Sequence, residues 1–463
     1  MIPPSEYSAR RERLMRMFSA DDCIIFLQGD AGGNRNPDVP LEPRQNSFVR
    51  YLAPLNGVGY SIMLVPKENK FILFAPENTR DDIVWKGRRP DFEELKHLYG
   101  ADEVHSPKKI SEIAIAYNPR NVYSLKGSNG DFRYFRDEDL AKALVGMRLI
   151  KSEDEVREIE KALEITSKTY DAMFRLTRPG RNMKDLLGAL RMIYYMNDAT
   201  HSFMPIITNR ADVLHLEEIK GVLKSGDLAL YDTGAELIES GYGSDITRTA
   251  AANGKFTPEQ LDIYNIVLQA QIEAIAMLKP GVNYRDVHFH AEKIVAQGLK
   301  DMGILKGSLN DILANGAHRL FFRHGLGHHV GLDDHDCGGP YADIAAGYDE
   351  SNPRSERFGI DKLRFAGTVK PGMVLTAEPG TYRLTEFKDD NELLDDHKIY
   401  VDFGKAEKIM ALVPGVRIED CVYITEFGPV VLGPNIPKTV IGLEGIVGAG
   451  DSYLEKAIER YKI

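Results

Sequence analysis

The chain is short of cysteine, with only Cys23, Cys337 and Cys421 in 463 residues. Three widely spaced thiols, odd in number, exclude a disulfide framework and point to a reducing, cytoplasmic setting. No apolar run approaches the ~20 residues of a membrane span, so no membrane partner is expected. The opening Met1-Ile2-Pro3-Pro4-Ser5-Glu6 has no apolar signal core and runs into Arg10, Arg11 and Arg13. Positive charge is also in deficit, 58 Lys and Arg against 69 Asp and Glu, a net charge of −11. That balance argues against a phosphate backbone, and hence nucleic acid, as partner. What remains is the composition of a globular protein, 43% hydrophobic and 27% charged. Its length exceeds what one core usually accommodates, so two domains are expected.

One stretch concentrates the chemistry. From His324 to Asp336 the chain packs four histidines, three aspartates and three glycines. Imidazole is the commonest side-chain metal ligand, and glycine lets a backbone approach closely. Four other runs supply carboxylates. Leu228 to Gly234 reads as an apolar strand ending in Asp232, and Gly243 to Thr249 opens a second strand with Asp245. Met373 to Gly380 repeats the first pattern with Glu378, and Val416 to Ile424 repeats the second with Glu419. Carboxylates inside apolar strands are rarely buried unless paired or bound to metal. Strand-end acids in solvent would explain one or two of these runs, not all four. With His328 they form an oxygen-rich set with one nitrogen and no thiolate. Hard oxygen donors suit Mn or Mg, and imidazole suits Zn, Fe or Co. Four negative charges exceed one divalent ion and match two, an arrangement that can polarise a carbonyl and hold a nucleophilic water.

Along the chain, residues 5 to 18 show an amphipathic helical pattern, and Cys23 to Leu27 reads as a buried strand. Ala31 to Pro43 reads as a loop. Ser61 to Val65 and Phe71 to Phe74 flank a hairpin turn. Helices are expected over 79 to 86 and 91 to 98, and a strand over 121 to 125. Strands alternating with helices imply a mixed α/β domain covering residues 1–150, with no cluster of reactive side chains. The second domain, 151–463, opens with a capping box, Ser152 and Glu155, ahead of Val156, Ile159 and Leu163 at helical spacing. It contains a cryptic repeat. Arg178 to Leu186 matches Lys279 to Val287, each with Pro-Gly, an Asn helix cap and an Asp at the third helical position. Ser225 to Gly234 matches Pro371 to Gly380, so Asp232 corresponds to Glu378. A pseudo-two-fold domain with carboxylates at its centre follows. A helix capped by Thr257 is expected to run to about Leu278. Residues 337 to 362 read as a long polar loop, 383 to 412 as an insertion, and 454 to 461 as a surface helix.

These runs together, His324 to His335, Asp232, Asp245, Glu378-Pro379-Gly380 and Arg417-Ile418-Glu419-Asp420, resemble the pita-bread dinuclear metallopeptidases. That family includes methionine aminopeptidase, aminopeptidase P and prolidase. The resemblance implies an α/β (α+β) pita-bread catalytic domain behind a smaller mixed α/β amino-terminal domain. It implies two divalent metal ions, manganese first, with cobalt or zinc as alternatives. Asp232 would be bidentate on one ion, Asp245 and Glu419 would bridge, and His328 and Glu378 would hold the other. Glu378 would also take a proton from the attacking water. His335 would hold the scissile carbonyl, His215 would contact the substrate near its proline, and His324 would line the same pocket. Arg417 would orient the carboxylates. His329 and the remaining histidines are expected bystanders. The implied substrates are small peptides with proline second, and the implied assembly is a homodimer. The long separations between His328, Glu378 and Glu419, and Arg364 fourteen positions before Glu378, resemble prolidase, an Xaa-Pro dipeptidase whose arginine grips the dipeptide carboxylate. Xaa-Pro aminopeptidase activity on longer peptides is the alternative, and a non-catalytic peptide-binding homologue is a third reading. The Asp232–Asp245 spacing is slightly longer than the family's usual one.

Overall fold

The computed structural model describes residues 2–36, 39–125, 136–216, 218–385 and 389–462. The chain divides into two units. The first comprises Met1–Arg148 with Ile238–Gly241 and Gly339–Ile344, and the second comprises the rest. Two short segments from beyond residue 150 therefore belong with the first unit. Arg50 Nη2 donates to the Ile238 and Glu239 carbonyls at 2.8 and 3.1 Å, and the Phe48 and Tyr341 rings meet edge to face.

The first unit is a five-stranded sheet. Cys23–Gln28 pairs antiparallel with Ser61–Val65 and parallel with Asn121–Tyr123. Ser61–Val65 continues into Lys70–Phe74, and Glu103–His105 closes the other edge. Ile24, Phe26, Met63, Val65, Ile72 and Phe74 share one buried cluster under the Ile110–Tyr117 helix. The apolar runs of the sequence are thus its strands. The expected loop after Ala31 instead contains two short exposed strands, Asn34–Asn36 and Val39–Pro40, while residues 37 and 38 lie outside the described residues.

The second unit carries the internal duplication. Helix α1 (Glu153–Leu176) starts on the Ser152–Glu155 capping box. Helices α2 (Met183–Met196) and α4 (Tyr284–Asp301) are the repeated pair, and α3 (Pro258–Met277), capped by Thr257, lies between them in sequence. Asn182 accepts from the Lys184 N–H and Asn283 from the Arg285 N–H, both at 2.9 Å. Gly180 and Gly281 both take positive φ, 86° and 89°, which glycine adopts without steric cost. Their N–H groups donate to the carbonyls of Leu223 and Val369, each three residues before a glycine, Gly226 and Gly372. The repeat is therefore a repeat of hydrogen bonds as well as letters.

Each half holds an antiparallel strand pair. In the first, β2 (Leu228–Thr233) pairs with β3 (Ile246–Ala251) and with β1 (Ile206–Thr208). In the second, β4 (Val374–Ala377) pairs with β5 (Asp420–Thr425), which also pairs with β6 (Gly428–Val431). The first strand of the pair is central in one half and the second strand in the other, so the symmetry stops at the pair. The halves join where Glu419 N–H donates to Thr247 O and Thr249 Oγ1 donates to Arg417 O, both at 3.0 Å.

The expected loop and the expected insertion both contain helices. The 337–362 segment includes a helix at Ala342–Ala346, with Tyr341, Ala345, Ala346 and Ile360 buried. Within 383–412, helices Asn391–His397 and Phe403–Met410 start on Asp390 and Asp402 caps, and residues 386–388 lie outside the described residues. Ala345 and Ala346 are buried in the first segment, and Ala406 and Met410, one turn apart, in the second.

Arg248 locks this architecture. Nearly inaccessible, it donates to the carbonyls of Glu419, Ile436 and Pro437 and to Asp420 Oδ1. Asp420 also accepts from Gln271 and Lys438. Arg248→Met keeps the aliphatic stem but strands these acceptors, and should cost on the order of 3–5 kcal/mol, read as a fall of several degrees in Tm. An unchanged melting temperature would show that the network is not needed for stability.

Candidate metal centre

The duplicated strands deliver their acids to one place. Asp232 sits near the end of β2, opposite Thr247 on β3, and Asp245 immediately precedes β3. Glu378 follows β4 and Glu419 precedes β5. The His324–His335 segment lies along β4, where Thr376 N–H donates to His328 O at 2.9 Å and Glu378 N–H donates to Leu326 O at 2.8 Å. Gly327 makes that approach possible, since a Cβ there would overlap Thr376 O and the Tyr284 hydroxyl.

The structure brings together all five residues expected to hold metal. His328 Nε2 lies 3.3 Å from Asp245 Oδ2 and 3.6 Å from Glu378 Oε1. Asp245, His328 and Glu419 each place a ligand atom within 4.8 Å of the others'. Arg417 donates to Asp232 Oδ2 at 2.6 Å and to the Tyr382 hydroxyl at 2.9 Å. Thr247 donates to Glu419 Oε2 at 2.7 Å. Yet Asp232 Oδ1, Asp245 Oδ1 and Glu419 Oε1 are buried without a hydrogen-bond partner. An orphaned buried acceptor costs about 1–3 kcal/mol and more when charged. Several such oxygens facing one another fit cations as their missing partners, so the donor set passes the test for divalent metal.

The surroundings form a cavity of about 550 Å³ whose lining includes His215, His324, His335, Arg364 and Arg417. His324 Nε2 meets the Tyr382 hydroxyl at 2.7 Å and its Nδ1 meets Gly325 O at 2.8 Å. Arg364 Nη1 contacts His335 Nδ1 at 2.7 Å. A guanidinium can only donate, so Nδ1 accepts and the His335 ring hydrogen resides on Nε2. Arg354, Lys362 and Arg364 are exposed, whereas Asp232, Asp245 and Glu419 are buried. The cavity thus has an acidic floor and a basic rim. His329, expected as a bystander, is buried edge-on against Phe365. His288 and His318 lie 3.2 and 3.3 Å from Glu292, a buried carboxylate that Arg319 also grips.

Three participants carry no assignment in the sequence reading: Tyr382, Thr247 and Asp334. Tyr382 stands four residues after Glu378, a spacing with no general meaning. Thr247 looks like an ordinary strand residue. Asp334 was visible within the His/Asp run but was indistinguishable there from Asp333 and Asp336.

Residues 157–426, more than half of the chain, match the model of metallopeptidase family M24. The chain belongs to that family. Residues 7–123 match the aminopeptidase P N-terminal domain. A probable Xaa-Pro aminopeptidase of Metarhizium acridum is 32% identical, with 96% of this chain and 89% of that protein covered. The Xaa-Pro aminopeptidase of Haemophilus influenzae is 30% identical, with 96% and 98% covered. Among solved structures, Pseudomonas aeruginosa aminopeptidase PepP superposes with a TM-score of 0.82 at 29% identity, covering 97% and 98% of the two chains. Escherichia coli aminopeptidase P with the inhibitor Pro-Leu gives 0.81 at 26%, covering 98% and 99%. The pita-bread catalytic fold and the smaller α/β amino-terminal domain are therefore both present, and M24 membership makes this a metal-dependent peptidase that binds divalent ions.

Without metal, the M24 centre is electrostatically frustrated. Burial pushes Asp232 up to about 6 against the pull of Arg417, and Asp245 adds to the rise. Burial likewise pushes Glu378 up to about 7, despite His328 and Arg417. Desolvation draws His328 down, but the Asp245 contact and the charges of Glu378 and Asp245 leave it raised. Burial and His328 drive His335 far down, keeping it neutral. A carboxyl raised in the folded state holds a proton that the unfolded chain, titrating near 4, has already released. The folded, metal-free protein therefore loses stability as pH rises from about 4 through 6 and 7. The Tm of chelator-treated protein should fall across that range, and excess Mn²⁺ near pH 7.5 should restore it. A metal-free Tm that climbs over the same range would contradict the arrangement.

Proposed function

We propose that the protein is an Xaa-Pro aminopeptidase, releasing the first residue of peptides whose second residue is proline. The observation that carries the reading is the set of orphaned carboxylate oxygens around His328 at the base of a peptide-sized cavity. The relatives named above, which carry that activity in their names, support it over nearly the whole chain. Asp232, Asp245, His328, Glu378 and Glu419 hold two divalent ions in this reading, with manganese expected from the oxygen-rich set and cobalt or zinc as alternatives. When bound, the ions polarise the scissile carbonyl and acidify water. Glu378 accepts the proton of the attacking water. The His335 Nε2–H donates to the scissile carbonyl, and His215 contacts the substrate beside its proline. His324, tied to Tyr382, lines the pocket. Arg417 positions Asp232 rather than reacting.

This displaces the prolidase expectation. The separations that suggested it, from His328 to Glu378 and from Glu378 to Glu419, hold helical insertions at Ala342–Ala346, Asn391–His397 and Phe403–Met410. The relatives matched over nearly the whole chain are named Xaa-Pro aminopeptidases. Arg364 remains a substrate-binding candidate, but it is exposed on the rim and engaged with His335. Assembly of all five metal-binding side chains speaks against a non-catalytic homologue. A cytoplasmic homodimer completes the reading. The three cysteines, all buried and none in a disulfide, suit a reducing compartment, and the dimer is checked by sedimentation.

Two measurements test the proposal. Mn²⁺-loaded protein should cleave Ala-Pro-Ala at least about tenfold more efficiently than the dipeptide Ala-Pro, because a two-residue substrate cannot use the whole cavity. Preference for the dipeptide would reinstate prolidase. Asp245→Ala, removing the acid assigned between the ions, should lower bound metal and turnover together. Elemental analysis that finds full metal content in this variant would remove Asp245 from its bridging role.

A further inference from the structure

Asp334 is the one carboxylate in the centre to which the two-metal reading gives no task. It belongs to Asp333-Asp334-His335-Asp336, in which Asp336 is engaged by Lys151 at 2.7 Å, both side chains essentially inaccessible. Asp334 faces the cavity with its side chain 9% exposed. Its Oδ2 lies 3.5 Å from His335 Nε2, beyond a good hydrogen bond. Its Oδ1 is buried and has no hydrogen-bond partner. The carboxyl also lies against Asp245, one of the acids of the metal centre. A built pocket wall thus presents Oδ1 as an acceptor without a hydrogen-bond partner, on a carboxyl that burial and the contact with Asp245 hold well above the usual carboxylate range.

Charge narrows what satisfies it. The four carboxylates Asp232, Asp245, Glu378 and Glu419 balance two divalent ions, and Asp334 is a fifth acid in excess. The charge it lacks is therefore one that arrives with a substrate. An Xaa-Pro peptide brings its scissile carbonyl to the metal centre. Its α-nitrogen follows two bonds away, about 2.5 Å from the carbonyl carbon, and a lysine or arginine side chain branches from the same Cα. The proline nitrogen is an amide and carries no charge. Only the first residue can therefore place a cation beside Asp334, and the basic rim of Arg354, Lys362 and Arg364 disfavours the reverse orientation.

We propose that Asp334 binds a cationic nitrogen of the substrate's N-terminal residue, either its α-ammonium or the ammonium or guanidinium of its side chain. The inference rests on the Xaa-Pro aminopeptidase reading and extends it to the recognition of Xaa. Asp334 acts as an acceptor of charge-assisted hydrogen bonds and takes part in no bond making or breaking.

The test compares metal-loaded wild type with Asp334→Asn, which keeps the shape and removes the charge. Bound metal per chain, kcat and KM for Ala-Pro-Ala and Arg-Pro-Ala, and calorimetric binding of norleucine amide and arginine amide are measured. Bound metal should match wild type. If the side-chain cation is held, Arg-Pro-Ala should lose about 10- to 100-fold in kcat/KM, mainly through KM, with Ala-Pro-Ala unchanged and only arginine amide binding weakened. If the α-ammonium is held, both peptides and both amides should lose by a similar factor. A drop in bound metal would make Asp334 a metal ligand, consistent with His328, Asp334 and His335 each placing a ligand atom within 4.8 Å of the others', and would overturn the proposal. So would full metal content with no change for any peptide or amide. Wild-type protein that cleaves neither peptide would count against the aminopeptidase reading, and the amide binding would still decide the role of Asp334.

Discussion

Mutual repulsion among buried carboxylates is the constraint around which the second unit is built. Asp232, Asp245, Glu378, Glu419 and Asp334 share one cavity, and like charges in a low-dielectric site push each other toward protonation. A fold tolerates this only with strong local restraint. Arg417 holds Asp232, Thr247 holds Glu419, and Arg248 grips the backbone of Glu419 together with the Asp420 side chain. These contacts leave other oxygens of the same acids unsatisfied. The stability forgone without metal is the counterpart of affinity for it.

The duplication is the geometric answer to the same constraint. Two copies of a strand pair place equivalent acids on either side of a pseudo-two-fold axis, so each half contributes two carboxylates. The correspondence is also close in the helix caps and the Gly-N–H clasps. It is lost at the third strand, which adds to β2 in one half and to β5 in the other. Beyond the paired strands, each half is free to vary.

Much of this was legible in the sequence because its signals are local. The Ser152 and Thr257 capping boxes, the Asn182 and Asn283 caps, and the apolar runs ending in Asp232 and Glu378 each span fewer than ten residues, and each forms as read. What escaped depends on distance. Nothing near Ile238–Gly241 or Gly339–Ile344 says that these segments pack with the first unit. Nothing near Tyr382 says that its hydroxyl will sit between His324 and Arg417. The small helices at Ala342–Ala346 and Phe403–Met410 are too short for a helical period to stand out against the surrounding polar sequence. Asp334 escaped for another reason, since three aspartates in four positions look alike until burial separates them.

The division of the centre between two halves also sets an order of events in synthesis. Asp232 and Asp245 leave the ribosome in the first copy, well before His328, Glu378 and Glu419 exist. In the proposed metal centre these two carboxylates would make only half of the donor set. The His328 nitrogen proposed to complete that set arrives only with the second copy, and the halves join where the Glu419 N–H meets Thr247 O. On the proposed assignment, the choice of metal would therefore fall to the finished domain and not to the nascent chain.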